Sequence, residues 1–317
     1  MFGRHDLSNA CAIVAQAMPP TPQYVWPLLA QRVEAEVWVK HENHAPTGAF
    51  KVRGGLTYVE RCLRERPAVT GLISATRGNH GQSLAFAGRR YGVSVTIVVP
   101  AGNSIEKNAA MLALGAKLIE HGDDYQAARE QAEKLAAAGK LEMVPSYHPD
   151  LVLGVATYPY ELFTAAGELD ALYVPVGMGS GICACVLVRD LLGLKTQIVG
   201  VQSTEAPAYA LSFGAGRVVA TSTSNTRADG MATRLPDASA LDIMLKGVTR
   251  FVQVGDEAVA EAIRCYWTDT HNLAEGAGAA PLAALLQERA QMRGRRVGVV
   301  LSGGNIDLRL FQSWVLN

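Results

Sequence analysis

Apolar and polar positions follow two periods along this chain, and the two take turns in regular order. Short apolar runs at 71–75, 95–99, 116–120 and 141–144 read as strands. Amphipathic stretches at 81–91, 105–114 and 123–138 lie between them and read as helices. Pro100 closes the second run, Gly115 stops the second helix, and Asp123-Asp124 opens the third with the acidic pair that suits a helix N-terminus. A longer helix at 151–166 follows. The alternation then resumes, with strands at 171–176, 197–202, 250–254 and 296–301. Ahead of all this, a short helix over 10–20 ends at Pro19-Pro20 and an extended segment starts at Thr21-Pro22, since proline biases its predecessor away from helix. A strand at 33–40, a loop at 41–46 and a helix from Lys51 to about Arg66 complete the first part. The stretch 214–236, rich in Ser, Thr, Gly and Arg, is loop-like, and no repeat or low-complexity linker interrupts the pattern. Such alternation predicts an α/β fold of two lobes, each with a parallel-rich sheet flanked by helices, and Lys51 near their junction.

Composition narrows the function. The chain has 317 residues, long enough for two domains; 49% are apolar and 18% charged, as in an ordinary soluble enzyme. Lys+Arg and Asp+Glu stand at 29 each, so no bulk charge favours nucleic acid or an anionic membrane. Five cysteines, an odd number, argue against a disulfide scaffold. Cys183 and Cys185 stand one residue apart with no second ligand pair nearby, which reads as small apolar packing rather than zinc. His41, Glu42 and His44 lack a third ligand at metal spacing, and no metal is expected. No window reaches about 18 apolar residues and the first nine residues carry no apolar core, so neither a membrane span nor a signal peptide is expected, and the cytoplasm is the expected compartment.

Four segments carry candidate chemistry. The first is Gly48-Ala49-Phe50-Lys51-Val52-Arg53-Gly54-Gly55, a lysine flanked by glycines that let backbone or ligand come close. Burial and a neighbouring cation such as Arg53 favour a neutral amine, the form that attacks an aldehyde cofactor. The second is Gly177-Met178-Gly179-Ser180-Gly181-Ile182, between an apolar strand and an apolar helix. Such a turn offers backbone N–H groups and the positive end of the helix dipole to a phosphate. A dinucleotide is disfavoured: the spacing is Gly-x-Gly-x-Gly, the next strand ends at Gln202 rather than an acid, and no Walker pattern follows. A phosphate monoester fits better. The third is Thr76-Arg77-Gly78-Asn79-His80, whose helix-start amides suit a carboxylate, with Asn79 able to donate to a phenolate-like oxygen. The fourth is Leu301-Ser302-Gly303-Gly304-Asn305, which puts a neutral hydroxyl after the last strand, where α/β sheets place ligands.

Together these four segments, in this order and spacing, resemble the serine/threonine dehydratase family of fold type II pyridoxal-phosphate-dependent enzymes, over about residues 21–307. The resemblance implies a tryptophan synthase β-like fold, with a large cofactor-binding domain from 1–55 and 149–317 and a small α/β domain from 56–148. It implies pyridoxal 5′-phosphate bound covalently to Lys51, which then acts as base at the substrate Cα. Phe50 would pack on the ring, and Asn79 would bond its O3′. The turn of Gly177, Met178, Gly179, Ser180 and Gly181 would hold the phosphate, and Ser302 would face the pyridine nitrogen. Thr76, Arg77, Gly78 and His80 would hold the substrate. Periodicity does not fix which residues meet the β-substituent; the candidates lie in 229–231 and 275–280.

The implied reaction removes water and ammonia from an L-3-hydroxy amino acid of the threonine or serine type, leaving a 2-oxo acid. A neutral hydroxyl at the ring nitrogen suits rapid β-elimination. Ala49 and Arg77 depart from the family pattern, which has serine at both places. Arg77 disfavours serine racemase chemistry, because an arginine is a poor proton donor, and it brings phenylserine or 3-hydroxyaspartate into view as substrates. Gln202 and Ala208 stand where a racemase-type metal site would need acids. Twelve residues follow Asn305, too few for the regulatory domain of allosteric relatives. The family habit implies a homodimer.

Overall fold

Ten strands form among the described residues, 2–139 and 141–316 of this computed structural model. They are β1 (Gln23–Val25), β2 (Glu36–His41), β3 (Gly71–Ala75), β4 (Ser94–Val99), β5 (Lys117–Glu120), β6 (Glu142–Met143), β7 (Ala171–Pro175), β8 (Gln197–Ser203), β9 (Arg250–Val254) and β10 (Arg296–Leu301). They sort into two sheets, one in each of two units. One unit comprises Met1–Met18 and Phe50–Gly154; the other comprises Pro19–Ala49 and Val155–Asn317. The division drawn from the sequence differs in grouping residues 1–18, 50–55 and 149–154 with the larger part.

The first unit holds the sheet β5-β4-β3-β6, parallel throughout. Every residue of β3 is buried, as a parallel strand covered on both faces must be. Ile73, Ala75 and Val98 pack against Ala128, Ala132 and Ala136, the every-fourth-residue stripe of the helix Tyr125–Gly139. The helix Lys51–Glu65 lies directly on the helix Asn79–Tyr91. A Cβ on Gly55 would stand 2.2 Å from Ser83 Oγ, so glycine is what lets the two backbones approach.

The second unit holds the sheet β1-β2-β10-β7-β8-β9. β1 is the antiparallel edge, and the other pairs are parallel. Its core runs from Leu29 and Val37 through Tyr173, Val199 and Val299 to Leu282 and Tyr266. The parallel strands carry the turns that matter at their C-terminal ends: Gly177 follows β7, and Ser302 follows β10.

Several boundaries differ from expectation. The first helix is Arg4–Ala15, six residues earlier, with Leu7, Ala10 and Val14 buried on one face. A helix, Pro27–Val33, stands where extended chain was expected; the Glu34 N–H donates to the Ala30 carbonyl, and the left-handed turn of Glu34 (φ 59°) then ends the helix. The strand expected at 33–40 therefore starts at Glu36. The helix expected at 151–166 is two helices, Pro149–Val155 and Thr157–Ala166. The stretch 214–236 takes in the end of the helix Ala208–Ala215 and a short 3-10 turn, Asp229–Met231. Among the described residues no helix is long and apolar enough to cross a membrane, and no three His, Cys, Asp or Glu side chains stand together as metal ligands.

Candidate active-site segments

In the first unit, Phe50 caps the helix that Lys51 begins. Lys51 is half-buried, and its Nζ lies 5.0 Å from the centre of the Phe50 ring, a cation–π distance. Ser83 Oγ donates to the Lys51 carbonyl at 2.6 Å and ties the first turn of the lysine helix to its neighbour. Arg53, in that same turn, is fully buried.

The Thr76–His80 segment belongs to the same unit. Gly78 N–H donates to Thr76 Oγ1 at 3.1 Å, which folds the chain into the start of the helix Asn79–Tyr91. Arg77 is exposed and makes no ion pair among the described residues, whereas Asn79 is half-buried. The stem of Lys107 packs on Gly78, where a Cβ would stand 2.5 Å from Lys107 Cδ. His80 is only 6% exposed. Burial, and second the positive charge of Lys51, push its pKa down to about 3. The imidazole is therefore neutral and adds no charge near the amine.

In the second unit, β7 runs into the glycine turn. Gly179 has φ +100°, a conformation that only glycine adopts without strain. The helix Ser180–Leu192 starts immediately, with Ser180 and Gly181 buried. Its first N–H groups have no acceptor within the helix, and they form an anion-binding end. The packing behind the turn is dense. A Cβ on Gly177 would meet Gly230 O at 2.2 Å, and one on Gly179 would meet Met244 Cε at 2.7 Å. Tyr209 locks the turn: its hydroxyl donates to Met178 O at 2.9 Å and accepts from Asp237 N–H at 3.0 Å. Burial holds that phenol well above the usual tyrosine range, so it stays a donor. Sequence reasoning missed Tyr209, which lies beyond the next strand and has no local signature.

The turn after β10 carries Ser302, 3% exposed. Gly303 forms an antiparallel bridge with Ala49, and Gly304 N–H donates to Gly48 O at 2.9 Å. The fourth segment thus grips the approach to Lys51. Glu275, also 3% exposed, lies against the same turn: its N–H donates to Gly303 O at 3.0 Å, and a Cβ on Gly303 would stand 2.6 Å from its Oε1. The sequence pointed to 275–280 only as a pocket segment. The run Gly276-Ala277-Gly278-Ala279 signals close backbone approach, and Gly278 makes one: a Cβ there would meet Gly303 O at 2.4 Å.

The first unit thus brings together Lys51, Phe50 and His80, and the second brings the Ser302 turn to the segment that leads into Lys51. A half-buried amine in the first unit, and an anion-binding turn and a buried neutral hydroxyl in the second, are each groups of the kind a phosphorylated pyridine aldehyde requires.

Comparison with known proteins agrees. Residues 14–303 match the family model described as "Pyridoxal-phosphate dependent enzyme". The chain is 30% identical over 311 residues to the L-threonine ammonia-lyase of Thermotoga maritima, spanning 98% of this chain and 77% of that protein. It is 30% identical over 312 residues to the L-threo-3-hydroxyaspartate ammonia-lyase of Saccharomyces cerevisiae, spanning 98% and 95%. Among solved structures, a T.th. threonine deaminase superposes with a TM-score of 0.90 at 29% identity, covering 97% of this chain and 99% of that one.

Proposed function

This chain belongs to the family of pyridoxal-phosphate dependent enzymes, with the fold type II, tryptophan synthase β-like architecture, and we propose that it is an ammonia-lyase that converts an L-3-hydroxy amino acid of the threonine or serine type to a 2-oxo acid and ammonia. Its chemistry is that of the family's lyases and racemases on small hydroxy and amino acids. Pyridoxal 5′-phosphate, when bound, supplies an aldehyde that captures amines and an electron-withdrawing ring that stabilises charge at the substrate α-carbon.

The protein's residues divide the remaining work. Lys51 Nζ would hold the cofactor through its aldehyde and, as a neutral amine, would be the base for the substrate Cα proton. Phe50 would pack on the ring, and Asn79 would donate to its phenolic oxygen. Gly177, Met178, Gly179, Ser180 and Gly181 would hold the phosphate through backbone N–H groups. Thr76, Arg77, Gly78 and His80 seat the substrate carboxylate. His80 acts as a neutral partner, since burial keeps it uncharged. Residues 177–181 and Ser302 would belong to a larger cofactor-binding domain, and Thr76–His80 to a smaller one.

The observation that carries the lyase reading is Ser302, a buried neutral hydroxyl at the C-terminal end of β10. A carboxylate there would hold a proton on the ring nitrogen and favour long-lived carbanions. A hydroxyl would leave the nitrogen without a charged partner, a setting that suits β-elimination. A second reading, 3-hydroxyaspartate as substrate, is favoured by Arg77: an exposed guanidinium at the substrate loop suits a second carboxylate, and the Saccharomyces cerevisiae relative is named for that compound.

The test is a substrate panel. The purified enzyme, supplied with pyridoxal 5′-phosphate, is given L-threonine, L-serine, L-threo-3-hydroxyaspartate and L-phenylserine. Production of 2-oxo acid and ammonia is then measured, and recovered serine is analysed for chirality. Turnover of threonine or serine supports the first reading, and turnover of hydroxyaspartate alone supports the second. D-serine without 2-oxo acid refutes both.

A further inference from the structure

The segment that leads into Lys51 is tied by backbone contacts and by one side-chain amide. Residues 47–49 run beside the turn that follows β10, within the second unit. Gly303 bridges Ala49, and Gly304 N–H donates to Gly48 O at 2.9 Å. Asn305 closes the series: its Nδ2 donates to Thr47 O at 2.8 Å. The amide orientation is dictated by its partner, because a carbonyl only accepts and the nitrogen must face it. The carboxamide also lies close against Gly48. A Cβ there would stand 2.5 Å from Asn305 Oδ1, and Gly48 has φ +67°. Position 48 therefore has to be glycine for two reasons, one steric and one conformational. Three consecutive residues are fastened in this way, and the lysine follows directly after Phe50.

From this geometry we infer that Asn305 is a positioning residue for Lys51: by holding Thr47 and Gly48 it sets where the amine stands when it meets the cofactor aldehyde. The inference rests on the proposed assignment of Lys51 to pyridoxal 5′-phosphate. Asn305 itself touches neither cofactor nor substrate in this scheme; it acts through the backbone of 47–49.

The discriminating substitution is Asn305→Asp. Aspartate keeps the shape and the oxygen that rests on Gly48, but it loses the N–H donor and turns a carboxylate oxygen toward the Thr47 carbonyl. Two ligands separate its effects. Pyridoxal 5′-phosphate binds through ring, phosphate and the covalent bond to Lys51. Pyridoxamine 5′-phosphate has no aldehyde and reports ring and phosphate alone. The full-length protein is stripped of cofactor, and both affinities are measured by titration for wild type and Asn305→Asp, with the rate of borohydride trapping as a third readout.

Affinity of the variant for pyridoxal 5′-phosphate should fall about tenfold, the scale of one lost hydrogen bond with a repulsion added, while its affinity for pyridoxamine 5′-phosphate stays within about twofold. Trapping at Lys51 should slow in step. Equal weakening of both ligands, or no weakening of either, overturns the inference while leaving the cofactor assignment standing. A wild type that is not trapped at Lys51 overturns that assignment and the inference with it.

Discussion

Gly179→Ala probes the proposed phosphate turn at its left-handed glycine. The wild-type backbone there has φ +100° and ψ −8°. An L-residue with a Cβ forced into left-handed backbone costs roughly 1–2 kcal/mol. The new methyl would also stand 2.7 Å from Met244 Cε, 3.0 Å from Ala240 Cβ and 3.3 Å from Tyr209 OH. Met244 and Ala240 are fully buried, so neither can swing aside into solvent, and such overpacking typically costs about 1–3 kcal/mol. Some of this cost falls on the fold and some on the turn, which can relieve the crowding only by moving the N–H groups proposed to hold the phosphate. At about 1.4 kcal/mol per decade, a share of 2 kcal/mol weakens cofactor binding by about 30-fold. Gly193→Ala is the control. It caps the other end of the same helix at φ +71°, with nothing within 4 Å of its added Cβ. It should lose about 1 kcal/mol of unfolding free energy and leave ligand affinity alone. The assay is urea unfolding of both variants with and without pyridoxal 5′-phosphate, together with titration of pyridoxal and pyridoxamine 5′-phosphates. Wild-type affinity for both ligands in Gly179→Ala would refute the assignment of this turn to phosphate.

Three further outcomes follow from the same geometry. Gly55→Ala drives a methyl to 2.2 Å from Ser83 Oγ and 2.8 Å from Ser83 O, so calorimetry should show a loss on the order of 3 kcal/mol; an unchanged melting temperature contradicts the close helix packing. His41 accepts from Trp26 Nε1 at 2.9 Å through Nε2, and burial, then His44, push its pKa down to about 4. The folded state therefore binds fewer protons than the unfolded chain between about pH 4 and 6.5: this stability is present above 6.5 and is lost as pH falls, at up to about 1.4 kcal/mol per pH unit. Denaturation from pH 7.5 to 5 should show a slope that His41→Gln flattens, and parallel slopes count against it. Under the hydroxyaspartate reading, Arg77→Ser should lower kcat/KM for 3-hydroxyaspartate by about tenfold or more while serine changes little; equal losses on both substrates reject an acid-selective role.

Where local signals sufficed, the sequence was readable. β3, β9 and β10 occupy the expected apolar runs, because Gly, Pro and charged residues punctuate both ends. The Pro27–Val33 helix carried its own signal in a proline at the first helical position, yet the Val-rich strand beside it drew in Val33. The placement of Arg4–Ala15 with the first unit depends on contacts with the distant helix Lys51–Glu65, which periodicity cannot express. The candidate site divides the same way. Lys51, the glycine turn and Ser302 stand out as motifs, because backbone geometry dictates residue type there. Tyr209, Ser83 and Glu275 do not: each acts across a long stretch of chain on a backbone group whose position only the fold defines.

Whether Lys51 carries the cofactor is settled most directly by chemical trapping. The purified protein is incubated with pyridoxal 5′-phosphate, reduced with borohydride, digested and read by mass spectrometry. One phosphopyridoxyl group on the peptide containing Lys51, absent from Lys51→Ala, is the predicted result. A label on another lysine, or none on a protein that is otherwise folded, would contradict it.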